Sequence, residues 1–233
     1  FLCFWGYHYR ATPLAARLGL EPPGPAAIAA LASAALSQTT ALREPGLSRA
    51  SGPLPPLGRE VARSLEELGL GALPLPGRLK PPPIPGLLGI AGTLGIICPF
   101  TLEAHLEPAL HWTDALVLGA HELAHLGGVA GEAEASLVAW HALTTSAHPL
   151  HRYAGWLGML HHLAPPEGLA PETRADLEAA RAARRSMEWA PFAAFSRQVY
   201  DLYLKGQGLP AGVADYGRVA GLAAAWLARR KDG

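Results

Sequence analysis

The stretch HELAHLGGVAGEAEAS, His121 to Ser136, decides how the rest of the chain is read. His121 and His125 are four residues apart, so on a helix they project from one face, one turn from each other. The residues leading into them, ALVLGAHELAHL, are apolar and put that helix in a core. Two charged imidazoles would be costly there, whereas two neutral, metal-bound ones are at home. Gly127-Gly128 ends the helix and lets the chain fold back. GEAEAS then opens a second helix with two carboxylates in its first turn.

This pattern predicts a metal centre. His121 and His125 hold one Zn²⁺, and Glu132 or Glu134 supplies a third ligand, leaving a position for water. Glu132 is favoured, because Glu132-x-x-Ala135 matches a gluzincin-like arrangement, although Ser136 stands where Asp or Asn is usual. Both glutamates can instead be read as solvated helix-start charges favoured by the macrodipole. Zinc would lower the pKa of its water, Glu122 would take the proton, and hydroxide would attack a scissile carbonyl. An oxyanion needs one more donor. His105, Tyr216, His141 and Tyr153 are the candidates.

Half of the 233 residues are hydrophobic, 16% are charged, and the formal net charge is zero. With no basic surplus to neutralise phosphates, nucleic acid is not an expected partner. The chain has no Asn, and Arg outnumbers Lys. A GC-rich genome accounts for this skew; a thermophilic host that sheds thermolabile amides is a second reading. Cys3 and Cys98 could pair, but two cysteines make no disulfide framework. Cys98, within GIICPF, reads as a buried small hydrophobe.

Working outward, helix is expected over 25–42 and, after a break at 51–58, over REVARSLEELG. Residues 74–92, rich in Pro and Gly, cannot form regular helix and read as an ordered segment on the core. TLGIICPFTLEAHLE carries the strand candidates, with a bend near Pro99. The metal-centre helix should start at a Thr113 or Asp114 cap and run through His125. Further helices are expected at 131–146, 150–163, 171–188, 190–205 and 213–230. Glu103, His105 and Glu107 alternate, hence share a face if extended. Such a sheet edge could bind peptide by strand addition. RAARR at 181–185 reads as the wet face of a helix. His148/His151 and LHH at 160–162 are a weaker second metal pattern.

The chain opens FLCFWGYHYR, without Met. Its aromatics ahead of Arg10 read either as the interfacial end of a membrane span or as a segment docked on the core. No unbroken apolar run of roughly 18 residues is present, so no complete transmembrane helix is expected.

FWGYHYR, LLGIAGTLGIICPFTLEAH, HELAHLGGVAGEAEAS and YLKGQGLPAGVADYGRV occur in an order that resembles one family, domain of unknown function thirty-eight-ten. These are bacterial membrane proteins with HExxH metallopeptidase-like motifs. The resemblance runs from Trp5 to about Val219. It implies His121, Glu122, His125 and Glu132 as the metal and catalytic set, and draws attention to Glu103, Tyr203, Lys205 and Tyr216. Ser136 and His105 both stand where the family has Asn. It also implies a preceding transmembrane anchor, cut away here, and an extracytoplasmic domain.

The expected molecule is a single mainly α domain over 1–233 (α+β at most), zincin-like, with an HExxH helix and a small β-hairpin or sheet. Its expected function is zinc-dependent hydrolysis of a peptide or protein. The catalytic set is Glu122, His105 and Tyr216, and the metal set is His121, His125 and Glu132. The alternative is a non-catalytic binding or assembly module with a structural or degenerate metal site.

Overall fold

Proline sets where several helices begin, since its fixed φ suits a first turn and its missing N–H loses nothing there. Pro25, Pro149, Pro171 and Pro191 all fall at the first or second position of a helix. The computed structural model describes residues 6–43, 54–71, 74–98, 100–163, 167–208, 212 and 218–232. A 3-10 turn at Gly6–Arg10 and a short helix α1 (Leu14–Arg17) precede α2 (Pro25–Leu42) and α3 (Gly58–Glu67). Residues 74–86 stay irregular, as their prolines require, up to a single helical turn, α4 (Leu87–Ile90). An antiparallel hairpin follows, β1 (Gly95–Cys98) and β2 (Glu103–Leu106), with Gly95 opposite Leu106 and Cys98 opposite Glu103. The rest is helical: α5 (Trp112–Leu126), α6 (Glu132–Thr144), α7 (Pro149–Met159), α8 (Pro171–Met187), α9 (Ala190–Gly206) and α10 (Val219–Asp232). The protein is mainly α with one small hairpin.

Helices α5, α6 and α7 pack on one another at the centre. Helix α5 buries eleven of its fifteen residues, so it is enclosed on nearly all sides. Leu116, Leu123, Leu137, Leu143, Tyr153 and Leu157 belong to one apolar cluster, each such side chain contributing about 1.5–3 kcal/mol by burial. Helix α3 docks on α6, where the Ser64 hydroxyl meets the Val138 carbonyl at 3.2 Å and His141 Nδ1 at 2.9 Å. The hairpin lies on α5, with Leu106 turned toward Gly119.

Several expectations are corrected. Helix α5 starts at Trp112, and Thr113 and Asp114 sit buried inside its first turn rather than capping it. Asp114 is held inward by Arg184 of α8, with Nε–Oδ2 at 2.6 Å and Nη2–Oδ1 at 2.7 Å. One arginine of RAARR is therefore a bidentate partner of a buried carboxylate, not part of a wet face. Glu107 does not share the exposed strand face. It is 1% exposed and accepts from the Gly86 and Gly89 amides, tying the 84–92 segment down. Helix α10 begins at Val219, later than expected, and 213–217 lie outside the described residues. So does Pro99. Cys98 is half-buried on β1, not a core residue, and is a free thiol; Cys3 lies outside the described residues. Helix α2, by length and composition, is apolar enough to cross a membrane, with 17% of it buried. Ser33, Ser37, Gln38, Thr39 and Thr40 break its apolar run, so no unbroken apolar stretch marks it in the sequence.

Candidate metal centre

The i, i+4 spacing on α5 brings the two imidazoles edge to face, with His121 Nε2 and His125 Nε2 3.0 Å apart. The Nδ1 of His125 donates to the Val129 carbonyl at 2.6 Å, in the bend just after the helix. That bond fixes the tautomer and leaves the Nε2 lone pair for a ligand. The Nδ1 of His121 meets Ser136 Oγ at 3.0 Å, so the residue standing in place of Asp or Asn still orients this ring. Gly128, at φ +91°, turns the chain back, and α6 begins with Glu132 as its first residue. Glu132 Oε2 lies 3.2 Å from His121 Nε2 and 3.5 Å from His125 Nε2.

The three atoms form a triangle with edges of 3.0, 3.2 and 3.5 Å. A tetrahedral ion with bonds of roughly 2.0–2.1 Å needs ligand–ligand edges of about 3.3–3.4 Å. Two imidazoles and a carboxylate are also a donor set that divalent metals of the zinc type accept. The buried cluster therefore fits a metal ion. Burial opposes charge on His125, but the Glu132 carboxylate outweighs it and raises the ring to about 9. Burial likewise pushes Glu132 up, and the two imidazoles carry it well below the usual carboxylate range.

Glu122 follows His121 and is buried beside the trio. Burial raises its pKa, the His121 and His125 rings oppose that rise, and Glu132 adds to it. Its carboxylate lies beneath β1: a methyl group on Gly95 would come within 2.5 Å of Glu122 Oε1. Gly95 is thus required by close approach.

Tyr200 joins the site although no motif in the sequence marks it. Its hydroxyl donates to Glu132 Oε1 at 2.5 Å, which leaves Oε2 facing the imidazoles. Burial and the neighbouring carboxylate both raise its pKa. Tyr203, to which the resemblance pointed, stacks on Tyr200 at 6.0 Å and meets Tyr9 edge-on at 6.4 Å. The described part of the N-terminal stretch is therefore docked on the site, with His8 against Gly128. Only the spacing of Tyr200 from Tyr203, one turn away, hinted at it.

The remaining candidates lie elsewhere. Ala104 and Leu106 face α5, so alternation turns Glu103 and His105 to the opposite face of the hairpin. There His105 Nδ1 meets the Pro81 carbonyl at 3.0 Å, and Glu103 pairs with Lys80. The hairpin does not bring His105 to the trio. Tyr216 lies outside the described residues. His141 is held by Ser64, Tyr153 donates to Asp176 Oδ2 at 2.7 Å, and Lys205 pairs with Asp201 at 2.6 Å. Glu134 turns away from the trio and accepts from the Leu14 amide at 2.5 Å. Among the described residues the metal-ligating cluster is His121, His125 and Glu132, and His148, His151, His161 and His162 form no such group.

A family model described as "Protein of unknown function (DUF3810)" matches residues 1–224. The chain belongs to the DUF3810 family. No curated protein and no solved structure matches it. In this DUF3810 protein the matched region contains the trio, Glu122, Gly95 and Tyr200, so every residue of the candidate centre falls within the family's extent.

Proposed function

We propose that the protein is a zinc-dependent, zincin-like metallopeptidase acting on peptide or protein substrates, held at a membrane with this domain extracytoplasmic. The convergence of His121 Nε2, His125 Nε2 and Glu132 Oε2, with the Glu122 carboxylate alongside, carries this reading. A zinc ion bound there supplies Lewis acidity and a water acidified toward neutral pH. Glu122 is positioned to accept a proton and to return it to a leaving amine. Its burial beneath Gly95 keeps bulk water away from that exchange.

The hairpin suits an extended substrate. Glu107 N–H donates to the Leu94 carbonyl at 2.9 Å. Leu94, Ile96 and Cys98 are therefore the residues hydrogen-bonded toward β2, and Gly95 and Ile97 point their amides and carbonyls to the other side. That side of β1 pairs with no strand among the described residues. A peptide added there as a strand would run past Glu122.

The test is Glu122→Gln in the 233-residue chain. It should bind about one zinc ion per chain, like the parent, while cleavage of a peptide library read by mass spectrometry falls by roughly 10²–10⁴-fold. Undiminished cleavage removes Glu122 from the mechanism. A parent that binds zinc and cleaves nothing leaves the assembly-module reading in its place.

A further inference from the structure

The aromatic N-terminal stretch and Tyr203 stand out in the sequence, and the proposed hydrolysis uses neither. Residues 8–14 nevertheless lie along the metal centre. The His8 ring covers Gly128, in the bend between His125 and Glu132, where a methyl group would come within 3.2 Å of its Cε1. Tyr9 meets Tyr203 edge-on, ring centroids 6.4 Å apart, and a side-chain hydrogen bond joins the two. The Leu14 amide donates to Glu134 in the first turn of α6, two residues from Glu132. The segment is itself anchored. Leu14 is 2% exposed within the main apolar cluster, and Arg17 Nη2 donates to the Gly69 carbonyl at 2.7 Å.

Of these contacts, the one made by Tyr9 leads to a ligand atom. Tyr203 stacks on Tyr200, with ring centroids 6.0 Å and planes 17° apart, and the Tyr200 hydroxyl donates to Glu132 Oε1. Tyr200 is 38% exposed, and α9 buries only Ala193 and Leu204, so the core does not pin the Tyr200 ring. Its orientation depends on the stack with Tyr203, and Tyr203 is held in turn by Tyr9. Both ring pairs have centroid separations at which aromatic contact is attractive.

We propose that Tyr9 is a positioning residue of the metal centre, acting through Tyr203 and Tyr200 on Glu132, so that docking of residues 8–14 and metal binding reinforce each other. The inference rests on the metal-site part of the function proposed above and holds whether or not peptide is cleaved. Such coupling is reciprocal: whatever the docked segment adds to metal affinity, the bound metal adds to docking. Metal occupancy is thereby felt at the N-terminal segment.

The experiment measures Zn²⁺ affinity of the 233-residue chain by competition against a chromophoric chelator, with circular dichroism as the check on folding. Tyr9→Ala should bind zinc roughly fivefold to tenfold more weakly than the parent. In a Tyr200→Phe background the same change should cost nothing further, because the relay is already cut. A purely structural Tyr9 would lower the urea midpoint and leave the zinc affinity of the folded chain where it was. Hydrogen exchange gives the reciprocal measurement and needs no variant. Zinc should slow exchange of the parent's Ala11 and Leu14 amides, which donate to the His8 carbonyl and to Glu134. Equal zinc affinity in parent and Tyr9→Ala, additive losses in the double variant, or exchange indifferent to zinc each overturns the inference and leaves the zinc site standing. A parent that binds no zinc removes the site and the inference together.

Discussion

The Tyr200 hydroxyl holds one oxygen of Glu132, at 2.5 Å, while the other oxygen faces both imidazoles. A phenol 68 residues away thus fixes the rotation of the carboxylate. Tyr200→Phe should keep the fold and weaken zinc binding about 10–100-fold. Competition against a chromophoric chelator measures this. Equal affinity in parent and variant would mean the phenol does not position the ligand.

Glu132 and Glu134 should separate cleanly. Glu132→Gln should lose zinc, read as metal per chain by atomic absorption. Glu134→Gln should keep it and lose about 1 kcal/mol of stability, because the bond to the Leu14 amide weakens. A reversed outcome would exchange their roles.

Gly95→Val should act on Glu122 without touching the ligands. A Cβ there would sit 2.5 Å from Glu122 Oε1 and 2.8 Å from its Cγ. Relieving that clash means moving the carboxylate or lifting β1, at about 1–3 kcal/mol. Zinc content should stay at the parent level while peptide cleavage falls. Parental cleavage rates in this variant would show that the approach of β1 is not needed.

Acid should destabilise the protein through His141. Burial, helped by Arg230 and Arg63 and opposed by Glu67, pushes this ring down to about 4. It is therefore neutral near pH 7, and its 3.7 Å approach to Glu67 is no ion pair there. In the unfolded chain the ring takes up a proton near pH 6.5. Between those values the unfolded state binds more protons, so stability rises with pH. The contribution is complete above about pH 6.5 and is lost as pH falls toward 4, amounting to at most about 3 kcal/mol. Urea unfolding across this range should give a shallower pH slope for His141→Gln than for the parent. Some slope should remain, because His161 is also pushed down to about 4, by burial first and then by Arg184. Equal slopes would mean that His141 is not the group.

Much of the architecture was legible because it is local. Pro25 marked the start of α2, and Gly127-Gly128 marked the bend after His125. The periodicity of His121 and His125 needed only the pitch of a helix. What escaped depends on contacts distant in sequence. Alternation put Glu103 and His105 on one face of a strand but could not say that α5 would cover the other. Asp114 read as a cap because nothing local announces Arg184. Tyr200 lies one turn from Tyr203 in the same helix, and only the packing of α9 selects it. Gly95 lies inside the strand candidate TLGIICPF, and nothing local distinguishes a glycine needed for close approach from any other strand residue.

The bend from His125 to Glu132 spans only residues 126–131. Closing so short a loop loses little chain entropy. The three candidate ligands thus emerge from the ribosome within twelve consecutive residues, well ahead of α9. Ion capture can accompany pairing of α5 with α6 during synthesis, and the later helices then settle on a centre that is already nucleated.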